Sequence, residues 1–121
     1  MADPWPSEIR LSKDRRTLSV GFDTGESHML AAEYLRVFSP SAEVQGHSPE
    51  QRVTVGGKAE VEIAKVEPVG NYAVKLVFGD GHNTGIYTWS YLLKLGRERG
   101  PLWAQYLAEL AEQGLSRGPA R

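Results

Sequence analysis

No stretch restricts the folds open to this chain more than Asn71 to Leu95, NYAVKLVFGDGHNTGIYTWSYLLKL. Tyr72, Val74, Leu76 and Phe78 alternate with Ala73, Lys75 and Val77. Successive side chains on a strand point to opposite faces, so one face of this strand is apolar throughout and the other is mixed. Gly79-Asp80-Gly81 breaks the run, since glycine permits the positive φ of a tight turn. Ile86 to Thr88, β-branched and aromatic, suits a short returning strand. Thr88 or Ser90 can then cap a helix by accepting an orphan backbone N–H. Tyr91, Leu92 and Leu95 share one stripe of that helix, and Gly96 is its natural stop. The polar group Asp80, His82, Asn83 and Thr84 is thereby expected on an exposed turn.

The rest of the chain reads in the same terms. Ile9 and Leu11, then Leu18, Val20 and Phe22, predict a hairpin across the charged turn Lys13 to Arg16. Asp23-Thr24-Gly25 is a second turn, residues 26–29 a third strand, and residues 31–38 a short helix ended by Ser39-Pro40. Residues 39–51 lack periodicity and predict a loop. Val53 and Val55 with Gly56-Gly57 suggest another hairpin. Val61 and Ile63 alternate with glutamates until the phase shifts at Ala64-Lys65, the mark of a bulge, and Pro68 marks an edge or a strand end. Pro101 opens a last helix, with Trp103, Tyr106, Leu107 and Leu110 on one stripe and Gly114 at its end.

The expected fold is α+β: a small antiparallel or mixed sheet of about six short strands with two or three helices. Residues 1–6 form an N-terminal arm, 7–114 one domain and 115–121 a disordered tail. There is also an internal echo. Val20-x-Phe22-Asp23-x-Gly25 followed by Glu33-Tyr34-Leu35 matches Leu76-x-Phe78-x-Asp80-Gly81 followed by Ser90-Tyr91-Leu92. A duplicated β-β-α unit would produce it. So would the ordinary preference of turns for Asp-Gly and of helices for Leu.

Composition excludes several kinds of chemistry. The chain has no cysteine, which removes disulfides, thiolate metal sites, cysteine-ligated iron–sulfur clusters and a cysteine nucleophile. A net charge of −1 gives no field favouring nucleic acid or an anionic membrane. The start, MADPWPSEIR, lacks a basic region followed by an apolar run, and no apolar run reaches spanning length, so a cytoplasmic protein is expected.

Asp80 and His82 are the best candidates for site chemistry, two residues apart on one turn, with His47 able to approach from the long loop. A metal site normally needs three or four protein ligands, and the spacing of His28, His47 and His82 matches no metal motif. There is no Gly-x-Ser-x-Gly elbow, and Gly56-Gly57-Lys58 lacks the rest of a phosphate loop. Glu60, Glu62 and Glu67 alternate as on the solvent face of a sheet, and Lys13, Arg15 and Arg16 read as a hairpin tip. Tyr87 and Trp89 are ambiguous. Alternation can bury both, while one of them exposed beside His82 would make a recognition surface.

The segments AEYLRVFSPSAEVQGH and VEPVGNYAVKLVFGDGHNTGIYTWSYL resemble the DUF971 family, the domain at the N-terminus of γ-butyrobetaine dioxygenase and trimethyllysine dioxygenase. The resemblance runs over residues 7–96 and points to the stand-alone bacterial type. Other members are fused to Mrp-type iron–sulfur scaffold ATPases. In the dioxygenases the domain carries a zinc site of three cysteines and a histidine. The resemblance carries the cysteines onto Ser39, Ser41 and Val44, after Tyr34-Leu35-Arg36, and the histidine onto His82, after Asp80. Only the histidine remains, and neutral hydroxyls are poor zinc donors, so no zinc or iron cofactor is expected. The catalytic iron(II) and 2-oxoglutarate site of those enzymes lies in a separate, larger domain. The resemblance therefore implies a non-catalytic interaction or accessory domain, with a protein partner such as an Mrp-type ATPase and a link to iron–sulfur or metal-cofactor assembly. The alternative is a small metal- or ligand-binding protein using the His82 turn. The candidate surface comprises Asp80, His82, Tyr87, Trp89 and His47.

Overall fold

The computed structural model describes residues 4–45 and 53–118. Strands β1 (Pro6–Leu11), β2 (Thr17–Phe22) and β3 (Ser27–Ala31) are followed by helices α1 (Ala32–Val37) and α2 (Ala42–Gln45). Strands β4 (Ile63–Val69), β5 (Ala73–Phe78) and β6 (Gly85–Thr88) lead into α3 (Trp89–Arg97) and α4 (Arg99–Glu112). The fold is α+β, but the six strands among the described residues form two antiparallel three-stranded sheets, β1-β2-β3 and β4-β5-β6, and not one. Alternation in a sequence reports which face of a strand is buried. It does not report which strands pair.

Each sheet turns its apolar face to one core. Leu18, Val20, Phe22 and Leu30 come from the first sheet and Ile63, Leu76, Phe78 and Tyr87 from the second, with Leu35, Leu92, Leu95, Tyr106 and Leu110 from the helices. The register slips between Ile63 and Lys65, at the expected bulge, and Pro68 lies on the edge strand β4. The two sheets meet at the β1–β2 turn. Arg15 takes a positive φ there, accepts the Ile63 N–H at its carbonyl (2.8 Å) and donates from Nη1 to the Ala64 carbonyl at 2.8 Å. The expected hairpin tip thus joins the sheets.

The two halves are organised alike. The Phe22 N–H donates to the Glu26 carbonyl and the Gly25 N–H to the Phe22 carbonyl; Phe78, His82 and Gly81 repeat both bonds in the β5–β6 turn. Gly25 and Gly81 have φ of +90° and +94°. Each helix then crosses to the other half. The Tyr34 hydroxyl on α1 donates to the Leu95 carbonyl at the end of α3 (2.7 Å), and the Tyr91 hydroxyl on α3 donates to the Phe38 carbonyl after α1 (2.5 Å). The echo read in the sequence is a repeated β-β-β-α arrangement, with its two tyrosines in reciprocal roles.

Several local expectations are corrected. Tyr72 precedes β5 and is exposed, so the inward face begins at Val74. Gly96 does not end α3, which runs to Arg97 with Glu98 as its C-cap; the Thr88 hydroxyl does cap its start, accepting the Tyr91 N–H. Leu107 is exposed on α4. Val53 to Gly57 is no hairpin. It lies along the terminal segment, where the Gly57 and Ala59 N–H groups donate to the carbonyls of Ser116 and Arg117 at 2.8 and 2.9 Å. The start of the expected disordered tail, residues 115–117, is therefore bonded to the domain; 119–121 lie outside the described residues. The N-terminal arm is likewise engaged from Trp5, whose carbonyl accepts the Asp23 N–H. No helix among the described residues is long and apolar enough to cross a membrane.

Candidate functional site

The β5–β6 turn faces the end of α1 and the segment that follows it. The amide of His82 donates to Asp80 Oδ1 (3.0 Å), which closes the turn locally. Asp80 Oδ2 accepts Arg36 Nε from the last turn of α1 at 2.8 Å and Lys58 Nζ from the chain before β4 at 2.6 Å. Partial burial alone would raise the Asp80 pKa, but Lys58, the His82 amide and Arg36 outweigh it and hold the carboxyl down at about 2. Asp80 is a carboxylate with its lone pairs engaged. It is poorly placed to serve as a base.

His82 points inward and is 7 % exposed. Its Nε2 lies 2.9 Å from Ser39 Oγ, and its ring packs on Phe78 with centroids 6.1 Å apart. Ser39 and Ser41 are buried, and the Ser41 and Thr84 hydroxyls pair at 2.7 Å. Gly85 is demanded by this approach, because a Cβ there would stand 2.6 Å from Ser39 Oγ. Gln45 Nε2 donates to the Ser39 carbonyl, and Val44 is buried beside it on α2. One guanidinium nitrogen, Arg36 Nη1, is buried with no hydrogen-bond partner among the described residues.

Ser39, Ser41, Val44 and His82 are therefore brought to one place by the two crossing connections. Their chemistry does not fit zinc. One imidazole, two hydroxyls and an isopropyl group supply a single good donor, and the imidazole nitrogen already faces Ser39.

The remaining candidates fall elsewhere. Tyr87 is fully buried and its hydroxyl donates to the Leu35 carbonyl, so it is a core residue and forms no recognition surface. His82, expected on an exposed turn, is also withdrawn from the surface. Trp89 follows β6 at the end away from the turn, since Thr88 pairs with Ala73 while Gly85 pairs with Leu76. At about 3.3 Å per strand residue, that puts it well beyond contact with His82. His47 lies outside the described residues.

Sequence reasoning missed what surrounds Trp89. Trp5 stands edge-on to it (centroids 6.4 Å, 70°), and Trp89 Nε1 donates to the Asn71 carbonyl at 2.9 Å. Trp5, Tyr72 and Trp89 line an open cleft of about 380 Å³. Trp5 and Tyr72 are 50 % and 52 % exposed. The available signals were the tryptophan between two prolines and the tyrosine beside the Gly70-Asn71 turn. Arg36 and Lys58 were also missed. A basic residue in the last turn of a helix serves the helix dipole in most chains, and nothing local identifies its carboxylate partner.

A family model described as gamma-butyrobetaine hydroxylase-like, N-terminal, matches residues 9–93. Two proteins with NMR solution structures are similar over nearly the whole chain. One is 48 % identical with a TM-score of 0.85, covering 99 % of this chain and 94 % of its own. The other is 45 % identical with a TM-score of 0.82, covering 98 % and 89 %. A crystal structure of a DUF971-family protein of unknown function from Acidithiobacillus ferrooxidans is 42 % identical, with a TM-score of 0.65, over 78 % of this chain and 98 % of that one. Comparison with curated proteins gives no match.

Proposed function

The chain belongs to the gamma-butyrobetaine hydroxylase-like N-terminal family, also called DUF971, and from that premise we propose that it is a non-catalytic interaction domain. The observation that carries this reading is a contrast between two surfaces. The polar groups that chemistry would use at the β5–β6 turn are closed on one another: Asp80 on Arg36 and Lys58, His82 on Ser39. At the opposite end of the same sheet, Trp5 and Tyr72 present half their surface to solvent beside Trp89. Large aromatics held rigidly at a surface anchor protein interfaces, because they bury much area at little entropic cost.

The partner we put forward is an Mrp-type iron–sulfur scaffold ATPase, placing the domain in iron–sulfur or metal-cofactor assembly in the cytoplasm. The support is the resemblance alone, through members of the family fused to such ATPases. The test is co-purification of the tagged chain with that ATPase from lysate of its host. Tyr72→Ala with Trp89→Ala should reduce recovery at least tenfold, while His82→Ala leaves it unchanged. Recovery unaffected by the aromatic pair would remove this surface as the site, and failure to recover the ATPase would remove the partner.

A further inference from the structure

Glu33, on α1, is a buried acid that the aromatic surface does not use. Its side chain is 7 % exposed, and both carboxylate oxygens accept from one guanidinium: Arg117 Nε at 2.9 Å and Nη2 at 2.7 Å. The Arg117 Cζ atom lies 5.2 Å from the centre of the Trp103 ring. Trp103 is in turn set edge-on to Tyr34, with centroids 6.2 Å apart. The pocket thus offers a planar fork of acceptors and an aromatic face, the two features that distinguish a guanidinium from an ammonium. Glu33 and Trp103 belong to the folded body. Arg117 belongs to the terminal segment after Gly114, which has a positive φ, and its side chain remains 49 % exposed.

The pocket continues into a cleft of about 410 Å³ that Arg117 does not fill. Thr17, Met29, Ala31 and Arg99 line the rest of it. Met29 and Ala31 lie on β3, an edge strand of the first sheet. The side chain at Met29 is exposed, and Arg99 Nη1 donates to its carbonyl at the mouth. The fork therefore has a buried carboxylate with an open cleft beside it.

We propose that the Glu33–Trp103 pocket is a guanidinium-binding site held shut by this chain's own Arg117, and that its partner is an arginine-bearing peptide that displaces the terminal segment. The arginine enters the fork, and the residues beside it lie along the cleft over β3. This site shares no residue with the Trp5–Tyr72–Trp89 surface, so either reading can fail without the other.

The test uses the full chain and blocked amino acids, N-acetyl-arginine and N-acetyl-lysine N-methylamides, titrated while the Trp103 indole resonance is followed by NMR. Arg117→Ala should bind the arginine compound at least tenfold more tightly than the unaltered chain does. The lysine compound should bind at least tenfold more weakly than the arginine compound. Adding Glu33→Gln should abolish binding. Equal binding by the two compounds, or none by a folded Arg117→Ala chain, overturns the proposal. If Arg117→Ala does not fold, the unaltered chain decides. Saturating arginine compound should then speed hydrogen exchange at the Ala59 amide, which donates to the Arg117 carbonyl, and unchanged exchange overturns the proposal. A dimer of the unaltered chain that Arg117→Ala abolishes would overturn it in favour of a second copy as occupant.

Discussion

Phe22 and Phe78 occupy the same place in two hairpins closed by the same pair of backbone bonds, yet the polar groups beyond them differ. In the first half, Glu26 accepts Arg97 from the end of α3 at both carboxylate oxygens and lies 3.2 Å from His28 Nε2, out towards solvent. In the second, the residue placed like Glu26 is His82, which turns inward to Ser39, while Asp80 takes the cations. The helix ends show the same exchange. His28 on β3 lies against Gly96, where a Cβ would stand 2.4 Å from its ring, and Ser39 lies against Gly85 on β6. Each crossing leaves room for one side chain, and the glycine sits on opposite partners in the two halves. The difference follows from what comes next in the chain. After α1 comes the Ser39–Gln45 segment, which supplies hydroxyls and a buried valine. After α3 the chain passes through Glu98 directly into α4. Among the described residues, the shared framework therefore holds a buried hydroxyl–imidazole cluster at the β5–β6 turn and none at the β2–β3 turn.

The comparison can be broken most forcefully in the core. Leu35 and Leu92 stand one after each tyrosine and both are fully buried. Leu35→Ala and Leu92→Ala should each cost about 2–5 kcal/mol, and about equally if the halves carry the fold alike. Urea denaturation of both variants would show this, and a difference above about 2 kcal/mol would mean one half dominates.

The glycine exchange comes next. Gly85→Ala forces a methyl onto Ser39 Oγ and the Tyr87 ring, and Gly96→Ala forces one onto His28. Each should cost about 1–3 kcal/mol from overpacking, although Gly96 lies in a helix and alanine returns about 1 kcal/mol there. His28→Ala should rescue Gly96→Ala and leave Gly85→Ala untouched. A double-mutant cycle with no coupling between positions 28 and 96 would refute the reciprocal packing.

The tyrosine bonds should yield less. Tyr34→Phe and Tyr91→Phe each remove one hydroxyl donor from a carbonyl at the end of the opposite helix. The expected loss is about 1–2 kcal/mol, larger at the more buried Tyr34. Thermal melts of the two single variants would rank them.

The smallest effect separates the acidic turns. Both carboxyls are held at about 2: Asp80 by Lys58, the His82 amide and Arg36 against the opposing pull of burial, and Glu26 chiefly by Arg97 and then His28. A depressed folded pKa contributes stability above the unfolded value that is lost as pH falls through the folded one. Stability should therefore decline between about pH 5 and pH 2. Asp80→Asn should remove more of that slope than Glu26→Gln, because the Asp80 side chain is 19 % exposed and Glu26 31 %. The Asp80 contribution is about 1 kcal/mol or less once solvent screening is counted. Denaturant midpoints at about pH 6 and pH 2.5 for both variants would measure it, and equal slopes would show that enclosure makes no difference.

Much of this protein was legible in one dimension. Period-two alternation, glycine turns, the Thr88 cap, the bulge before Val66 and the repeated Tyr-Leu helix openings are local properties, set by steric limits on φ and ψ and by side-chain direction. They suffice for an α+β chain of six strands and for the internal echo. They do not say that the strands divide into two sheets, that Tyr34 on α1 and Tyr91 on α3 each bond at the end of the other helix, or that Gly57 and Ala59 bond to Ser116 and Arg117. Those outcomes depend on which apolar faces meet, and several pairings satisfy the same pattern. Asp80 was singled out as chemistry because an acid near a histidine looks alike whether free or paired. Only the fold brings Arg36 and Lys58 onto it, turns His82 under Ser39, buries Tyr87 and sets Trp89 beside Trp5. Burial and electrostatic pairing act through space between residues far apart in the chain, so the tertiary structure alone decides them.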